Sequence, residues 1–190
     1  MRITIVDLET TGFPAPGQLD RDGKISTHRI ASFACVRMED GHIVEKFEVL
    51  VNPEIPMPES AGAVNGLTDA MLKWAPTFAD VYAKLVAALD WADAIAGHNV
   101  EGFDLPFIWA EVERVTGKEW VWNGRVIDTM LIARHNYNFT KLAQFRSANS
   151  LDNICATWGI TKPVVHDALG DCLATRAVMV RMAEEGKLTL

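Results

Sequence analysis

Cysteine is scarce in this 190-residue chain: Cys35, Cys155 and Cys172 lie far apart and form no CxxC pair. An odd number of isolated cysteines supports neither a disulfide framework nor a zinc site, so buried free thiols in a reducing compartment are expected. Long apolar runs are also missing. Charges interrupt every hydrophobic stretch, which excludes a membrane-spanning helix. The opening MRITIVDLETTG has no apolar core followed by a small-residue cleavage site, so a signal peptide is not expected. A cytoplasmic protein with no membrane partner follows as an expectation. Basic charge is short as well: 18 Lys and Arg against 25 Asp and Glu give a formal net charge of −7. A protein that coats duplex nucleic acid through a broad basic surface is thereby excluded. Any nucleic acid would have to be held locally, with metal ions supplying positive charge.

What is present is ordinary for a globular protein, with 49% hydrophobic and 23% charged residues. The length suits one sizeable core, and neither a repeat nor a linker divides the chain, so a single domain over residues 1–190 is expected. Strands are predicted over residues 3–8, 30–38 and 43–51, with a tight turn at Asp40-Gly41, which opens the chain as an antiparallel meander. Residues 51–66, with Pro53, Pro56 and Pro58, read as an irregular connection. A helix is predicted over 77–91, capped by Thr77, with Phe78, Val81, Tyr82, Leu85, Val86 and Leu89 as its apolar stripe. A short strand at 94–97, a helix over 104–115, a strand over 120–127 and a short helix from Thr129 follow. Ser150 begins a helix that Gly159 ends, and the last helix spans 167–185. Strands and helices mixed in this way predict a three-layer α/β fold with a mixed sheet.

Three acidic clusters stand out. Asp7 and Glu9 in DLETTG lie two apart on the first strand, so their side chains share a face. Carboxylates so placed repel one another unless a cation sits between them, and Mg²⁺ suits such a pair. The alternative is a solvated strand end. Thr10, Thr11 and Gly12 add backbone N–H groups and small side chains of the kind a terminal phosphate or sugar requires. His98, Asn99 and Asp104 in GHNVEGFDLPFI fall at a strand-to-helix turn, where Asp104 could equally cap the helix bearing Pro106. His166 and Asp171 in HDALGDC flank the start of the last helix. Asp167 is the better cap, which frees Asp171 to face inward. His166 could be an ordinary structural histidine, or a base that takes a proton from water near neutral pH. Together the clusters predict four carboxylates and one His from separate elements. A two-metal phosphodiester hydrolase uses such a set, with its ions about 3.5–4 Å apart.

At these positions the chain resembles the DEDDh (DnaQ-like) exonuclease family, which includes the proofreading subunits of bacterial replicative polymerases. DLETTG, His98-Asn99…Phe103-Asp104 and His166…Asp171 resemble its three motifs, in order and at similar spacing. VNPEIPMPESAGAVNGLTDAML, VIDTMLIAR and NSLDNIC are similar between them. The resemblance implies a ribonuclease H-like fold with a mixed five-stranded sheet flanked by helices. It implies a metal-dependent 3′→5′ exonuclease that releases nucleoside 5′-monophosphates, using two Mg²⁺ ions for which Mn²⁺ can substitute. Asp7, Glu9 and Asp171 would hold the more buried ion, Asp7 being shared with a second ion that Asp104 supports. His166 would be the general base, and Thr10, Thr11, Gly12, His98, Asn99 and Phe103 would meet the substrate. The partner implied is the 3′ end of single-stranded or frayed DNA, with a DNA polymerase or another replication or repair protein as a further associate. The alternatives are an exoribonuclease on RNA 3′ ends, an inactive nucleic-acid-binding module, or an unrelated metal-dependent nucleotide phosphohydrolase. Departures from the family pattern are Asn65 in place of a usual His, Ser32 in place of a common acid, and a long loop over residues 13–28.

For strand binding, stacking aromatics and cations are the expected tools. Phe13, Phe103 and Phe107 are candidates, the last two equally as core. Residues 134–146 combine Arg134, His135, Lys141 and Arg146 with Tyr137, Phe139 and Phe145, either as a backbone grip or as a solvated loop. Trp91, Trp109, Trp120 and Trp158 are expected in the core.

Overall fold

β1 (Arg2–Thr10) carries Ile3, Thr4, Ile5 and Val6, four β-branched residues in succession, which favour extended backbone. It pairs antiparallel with β2 (Ile30–Glu39), which in turn pairs antiparallel with β3 (His42–Leu50). Glu39 stands opposite His42, so only Asp40 and Gly41 close the hairpin, at φ 48° and 84°. Positive φ at both positions is what such a turn demands, and the Asp-Gly pair tolerates it. On the other side of β1, β4 (Ala94–Gly97) and then β5 (Arg125–Asp128) add in parallel, giving the order β3-β2-β1-β4-β5. The expected mixed five-stranded sheet is therefore present. The computed structural model describes residues 1–19, 26–162 and 167–190.

Seven helices are found among the described residues: α1 (Glu59–Asn65), α2 (Asp69–Leu72), α3 (Phe78–Asp90), α4 (Asp104–Thr116), α5 (Thr129–Asn136), α6 (Leu151–Trp158) and α7 (Ala168–Glu184). The two-residue period of the strands divides them between two layers. Ile3, Ile5, Ala34 and Val36 pack with Val178, Met179 and Met182 of α7. Val6, Leu8, Phe33 and Cys35 face the opposite way and pack with Leu85 and Leu89 of α3 and Phe107 and Ile108 of α4. Helices thus cover both sides of the sheet, as ribonuclease H-like folds require. All three cysteines are buried and free. Among the described residues, no helix is long and apolar enough to cross a membrane.

Three local expectations need correction. The connection over 51–66 is not irregular throughout: α1 lies within it and α2 follows. Each is too short to display an apolar stripe, so periodicity could not find them. The strand expected over 120–127 shrinks to Arg125–Asp128, because β4 offers only four partners, Ala94 to Gly97. Trp120 and Trp122 instead lie against the α3/α4 side of the core. Trp109 is 39% exposed rather than buried, since α4 turns Phe107, Ile108 and Val112 inward instead.

Phe33 is completely buried in β2. Truncating it should create a cavity beneath α3 and α4. Phe33→Ala should lower the unfolding free energy by about 3–5 kcal/mol, measured by urea denaturation. A loss below about 1 kcal/mol would contradict the packing described.

Candidate active site

The carboxyl ends of β1, β4 and β5 run in parallel and finish along one edge of the sheet. Open α/β sheets place ligands at such edges. Asp7 and Glu9 continue the alternation of Ile3 and Ile5, so they point to the side covered by α7. Asp171 lies in the first turn of α7, whose N-terminus is capped by Asp167 accepting from the Gly170 N–H at 3.0 Å. Asp104 begins α4 and is buried. The helix has Phe103 at its cap position with no side-chain cap bond, so the capping alternative for Asp104 is not what the structure shows.

The acids act on one another electrostatically. Burial pushes the Asp7 pKa well above the carboxylate range, and Asp104, Asp171 and Glu9 push it further. Burial likewise raises Glu9 to about 7, with Asp171 adding to the shift and Lys162 and Asn65 opposing it. Asp104 is raised by burial too; its own N–H and that of Leu8 hold it back, while Asp128 and Glu9 push it up. Lys162 answers this charge directly. Its ammonium lies 2.6 Å from an Asp171 carboxylate oxygen and 2.6 Å from one of Asp152. Burial works to discharge the ammonium, but the two carboxylates outweigh it and raise its pKa. Among the described residues, no three His, Cys, Asp or Glu side chains form a group that could hold a metal ion.

The turn after β1 is shaped by a bulge. Glu9 pairs with Ser32 but Thr10 pairs with Ile30, which leaves Ala31 as an extra residue. The Thr10 hydroxyl donates to the Gly12 carbonyl at 2.8 Å. The Thr11 hydroxyl accepts from the Arg29 N–H at 2.9 Å, so it is engaged in holding β2. Gly12, at φ 144°, lies so close to the His28 ring that a Cβ would stand 2.6 Å from it. Asn65 donates from Nδ2 to the Thr10 carbonyl at 3.1 Å and accepts from the Leu67 N–H at 3.0 Å. Glu9, Thr10, Thr11, Gly12, Phe13, His28, Asn65, Phe103 and Arg146 share the wall of a cavity of about 470 Å³.

His98 and Asn99 sit behind this cavity rather than in its wall. The His98 ring bridges Thr129 Oγ1 and the Asn149 carbonyl, each at 2.8 Å. Burial lowers its pKa and favours the neutral ring. A carbonyl only accepts, so Nε2 carries the proton; the Thr129 hydroxyl lies between Nδ1 and the Gly97 carbonyl, to which it donates at 3.1 Å. Both nitrogens are then spent within the protein, which leaves His98 a positioning residue. Asn99 adopts positive φ, and its N–H donates to Asp128 at 3.0 Å. Asp128 also accepts from Glu101, Met130 and Leu131 N–H groups, so one carboxylate fastens the turn after β4 to the start of α5.

Other candidates separate cleanly. Phe107 is core, whereas half-buried Phe103 packs on it with ring centres 4.9 Å apart and also meets the cavity. Tyr137 and Phe139 stack on each other and edge against Trp158, so they pack within the protein. Lys141 donates to the Phe145 carbonyl at 2.9 Å. Arg146 alone of the cations expected over 134–146 lines the cavity beside Glu9. His166 lies outside the described residues. Asp128 and Lys162 were missed in the sequence. A Lys a few residues before the third motif was the only signal for the latter.

Comparison with known proteins gives the family. Residues 4–179 match the RNase_T family model, described as Exonuclease, and the chain belongs to that exonuclease family. It is 33% identical over 187 residues to a DNA polymerase III subunit epsilon-like protein of Rhodobacter capsulatus, covering 96% of this chain and 24% of that protein. It is 30% identical over 181 residues to the DNA polymerase III subunit epsilon of Aquifex aeolicus, covering 95% of this chain and 80% of the relative. The chain thus spans about a quarter of the first relative and most of the second. Among solved structures, Exonuclease X in complex with 5′ overhanging duplex DNA is similar with TM-score 0.66 and 25% identity, over 98% of this chain and 94% of that one.

The raised Glu9 pKa carries a pH signature for the metal-free protein. A carboxyl of ordinary pKa 4.5 that rises to about 7 on folding binds its proton better in the folded chain. Its contribution to stability is full below 4.5 and is lost as pH climbs through about 7. In chelator, Glu9→Gln should therefore flatten the fall in melting temperature across that window. Identical pH slopes for variant and parent would show that Glu9 titrates normally.

Proposed function

We propose that this chain is a divalent-metal-dependent 3′→5′ exonuclease, acting on single-stranded or frayed DNA ends and releasing nucleoside 5′-monophosphates. The observation that carries this is the placing of Asp7, Glu9, Asp104 and Asp171 about one sheet edge, where Asp104, Asp171 and Glu9 each raise the pKa of Asp7. So much negative charge in a buried space calls for cations, and an all-oxygen donor set suits Mg²⁺ or Mn²⁺. The family assignment and the likeness to an exonuclease bound to overhanging duplex DNA support a DNA end as substrate.

In this scheme Asp7, Glu9, Asp104 and Asp171 would hold the divalent ions. When bound, the ions supply the positive charge that stabilises the attacking and leaving oxygens of the phosphodiester. The chain's own residues do the rest. The cavity beside Glu9 receives the terminal nucleotide, with Phe103 offering a face for its base and the Thr10–Gly12 turn meeting its sugar and phosphate. Arg146, in the same cavity wall, would meet a phosphate of the entering strand. His166 takes the proton of the attacking water, and the carboxylate cluster fixes where that water is placed. Residues 1–190 act as one domain, in the cytoplasm, where the buried free thiols stay reduced. The relatives named for polymerase III make a replication or repair assembly the natural associate.

A 5′-labelled oligonucleotide incubated with Mg²⁺ or Mn²⁺ should shorten one nucleotide at a time and stop shortening on chelation. Endonucleolytic fragments, or no cleavage, would refute the assignment. Asp7→Ala should remove nearly all turnover, and His166→Ala should cost about 10²–10⁴-fold with the fold intact by circular dichroism. Matched single-stranded DNA, RNA and mispaired duplex ends run side by side should rank DNA first. Faster trimming of RNA would make the chain an exoribonuclease.

A further inference from the structure

Lys162 has no part in the scheme above, yet it touches one of its four carboxylates. Its side chain is only 9% exposed, and it is clamped between Asp171 and Asp152, 2.6 Å from each. Its positive charge also reaches Asp7 and Glu9, both of whose carboxyls it pulls down in pKa. A purely structural bridge would have no reason to sit on a carboxylate needed elsewhere. Asp152 belongs to α6 and is separate from the acids of the sheet edge. Lys162 and Asp152 also border an open cavity of about 690 Å³, so the ammonium has room to shift on its flexible stem.

We propose that Lys162 is a tethered counter-ion: it neutralises Asp171 in the metal-free protein and withdraws to Asp152 when a divalent cation claims Asp171. The inference rests on the assignment of Asp171 as a metal ligand. A carboxylate oxygen in contact with an ammonium must give up that contact before it can coordinate an ion. The protein therefore trades metal affinity for a tolerable metal-free state. Asp152 makes the exchange reversible, because the displaced ammonium keeps a charged partner instead of being left buried and unpaired, which would be costly.

Two substitutions should act in opposite directions on Mn²⁺ affinity, measured by titration calorimetry or by the electron paramagnetic resonance of free Mn²⁺. Lys162→Met should tighten binding by roughly tenfold, the worth of one charge-assisted hydrogen bond, and should lower the melting temperature in chelator. Asp152→Asn should weaken binding, since Lys162 then has only Asp171 to hold. A misfolded variant would bind less, so tightening cannot arise from damage. The titrations should be repeated in 1 M KCl, where the screening length is about 3 Å. Tightening that persists there reports contact competition. Tightening that vanishes reports only long-range charge and overturns the proposal, as does Lys162→Met affinity at or below that of the parent. Asp152→Asn affinity equal to or above the parent overturns the withdrawal step. A parent protein that takes up no Mn²⁺ removes the metal assignment itself, and the counter-ion role with it.

Discussion

Carboxylates confined to a poorly hydrated space repel one another, and the rest of this molecule is arranged around that repulsion. Asp7, Asp104 and Glu9 all lie where burial penalises their charge; Asp7 is pushed up further by Asp104, Asp171 and Glu9, and Asp104 by Glu9. Left alone, such a cluster would take up protons or push its elements apart. The frame resists this. β1 is gripped by β2 on one side and β4 on the other, and apolar layers lie against both of its faces. The cost of crowding charge is borne by the core, and the benefit is a site with a strong demand for cations.

The supporting contacts are as specific as the acids. Asp128 gathers N–H groups from Asn99, Glu101, Met130 and Leu131, so the ends of two parallel strands are fastened together. His98 ties the same turn to Thr129 and to Asn149. Asn153 of α6, itself fully buried, holds the Thr140 and Ala148 carbonyls and the Leu142 N–H, which shapes the segment that presents Arg146. The Arg146 side of the cavity is therefore tied to the buried face of α6.

What could be read from the sequence follows from the range of the interactions involved. Asp7 and Glu9 share a face because a strand repeats every two residues. The Asp40-Gly41 hairpin and the caps at Thr77, Ser150 and Asp167 are likewise local chemistry, and the structure has all of them. Asp104 was ambiguous until α4 was seen to begin without its side chain as a cap. Lys162 and Asp128 are not legible in the sequence because their partners are fixed by tertiary packing: nothing in a Lys between two helices names Asp171 as its neighbour. His98 was grouped with substrate contacts on resemblance, whereas its ring is consumed by Thr129 and Asn149. The helices α1 and α2 were hidden by their brevity among prolines.

The extra residue at Ala31 determines where this chain can change length. A slip of one residue along β1 would turn Asp7 and Glu9 onto the α3/α4 side and bury them among Phe33, Leu85 and Phe107. The bulge absorbs a one-residue mismatch on β2 after Glu9 has already paired with Ser32. Insertions and deletions between the first motif and β2 can therefore accumulate without disturbing the acids. The spacing from Ile3 to Glu9 has no such slack.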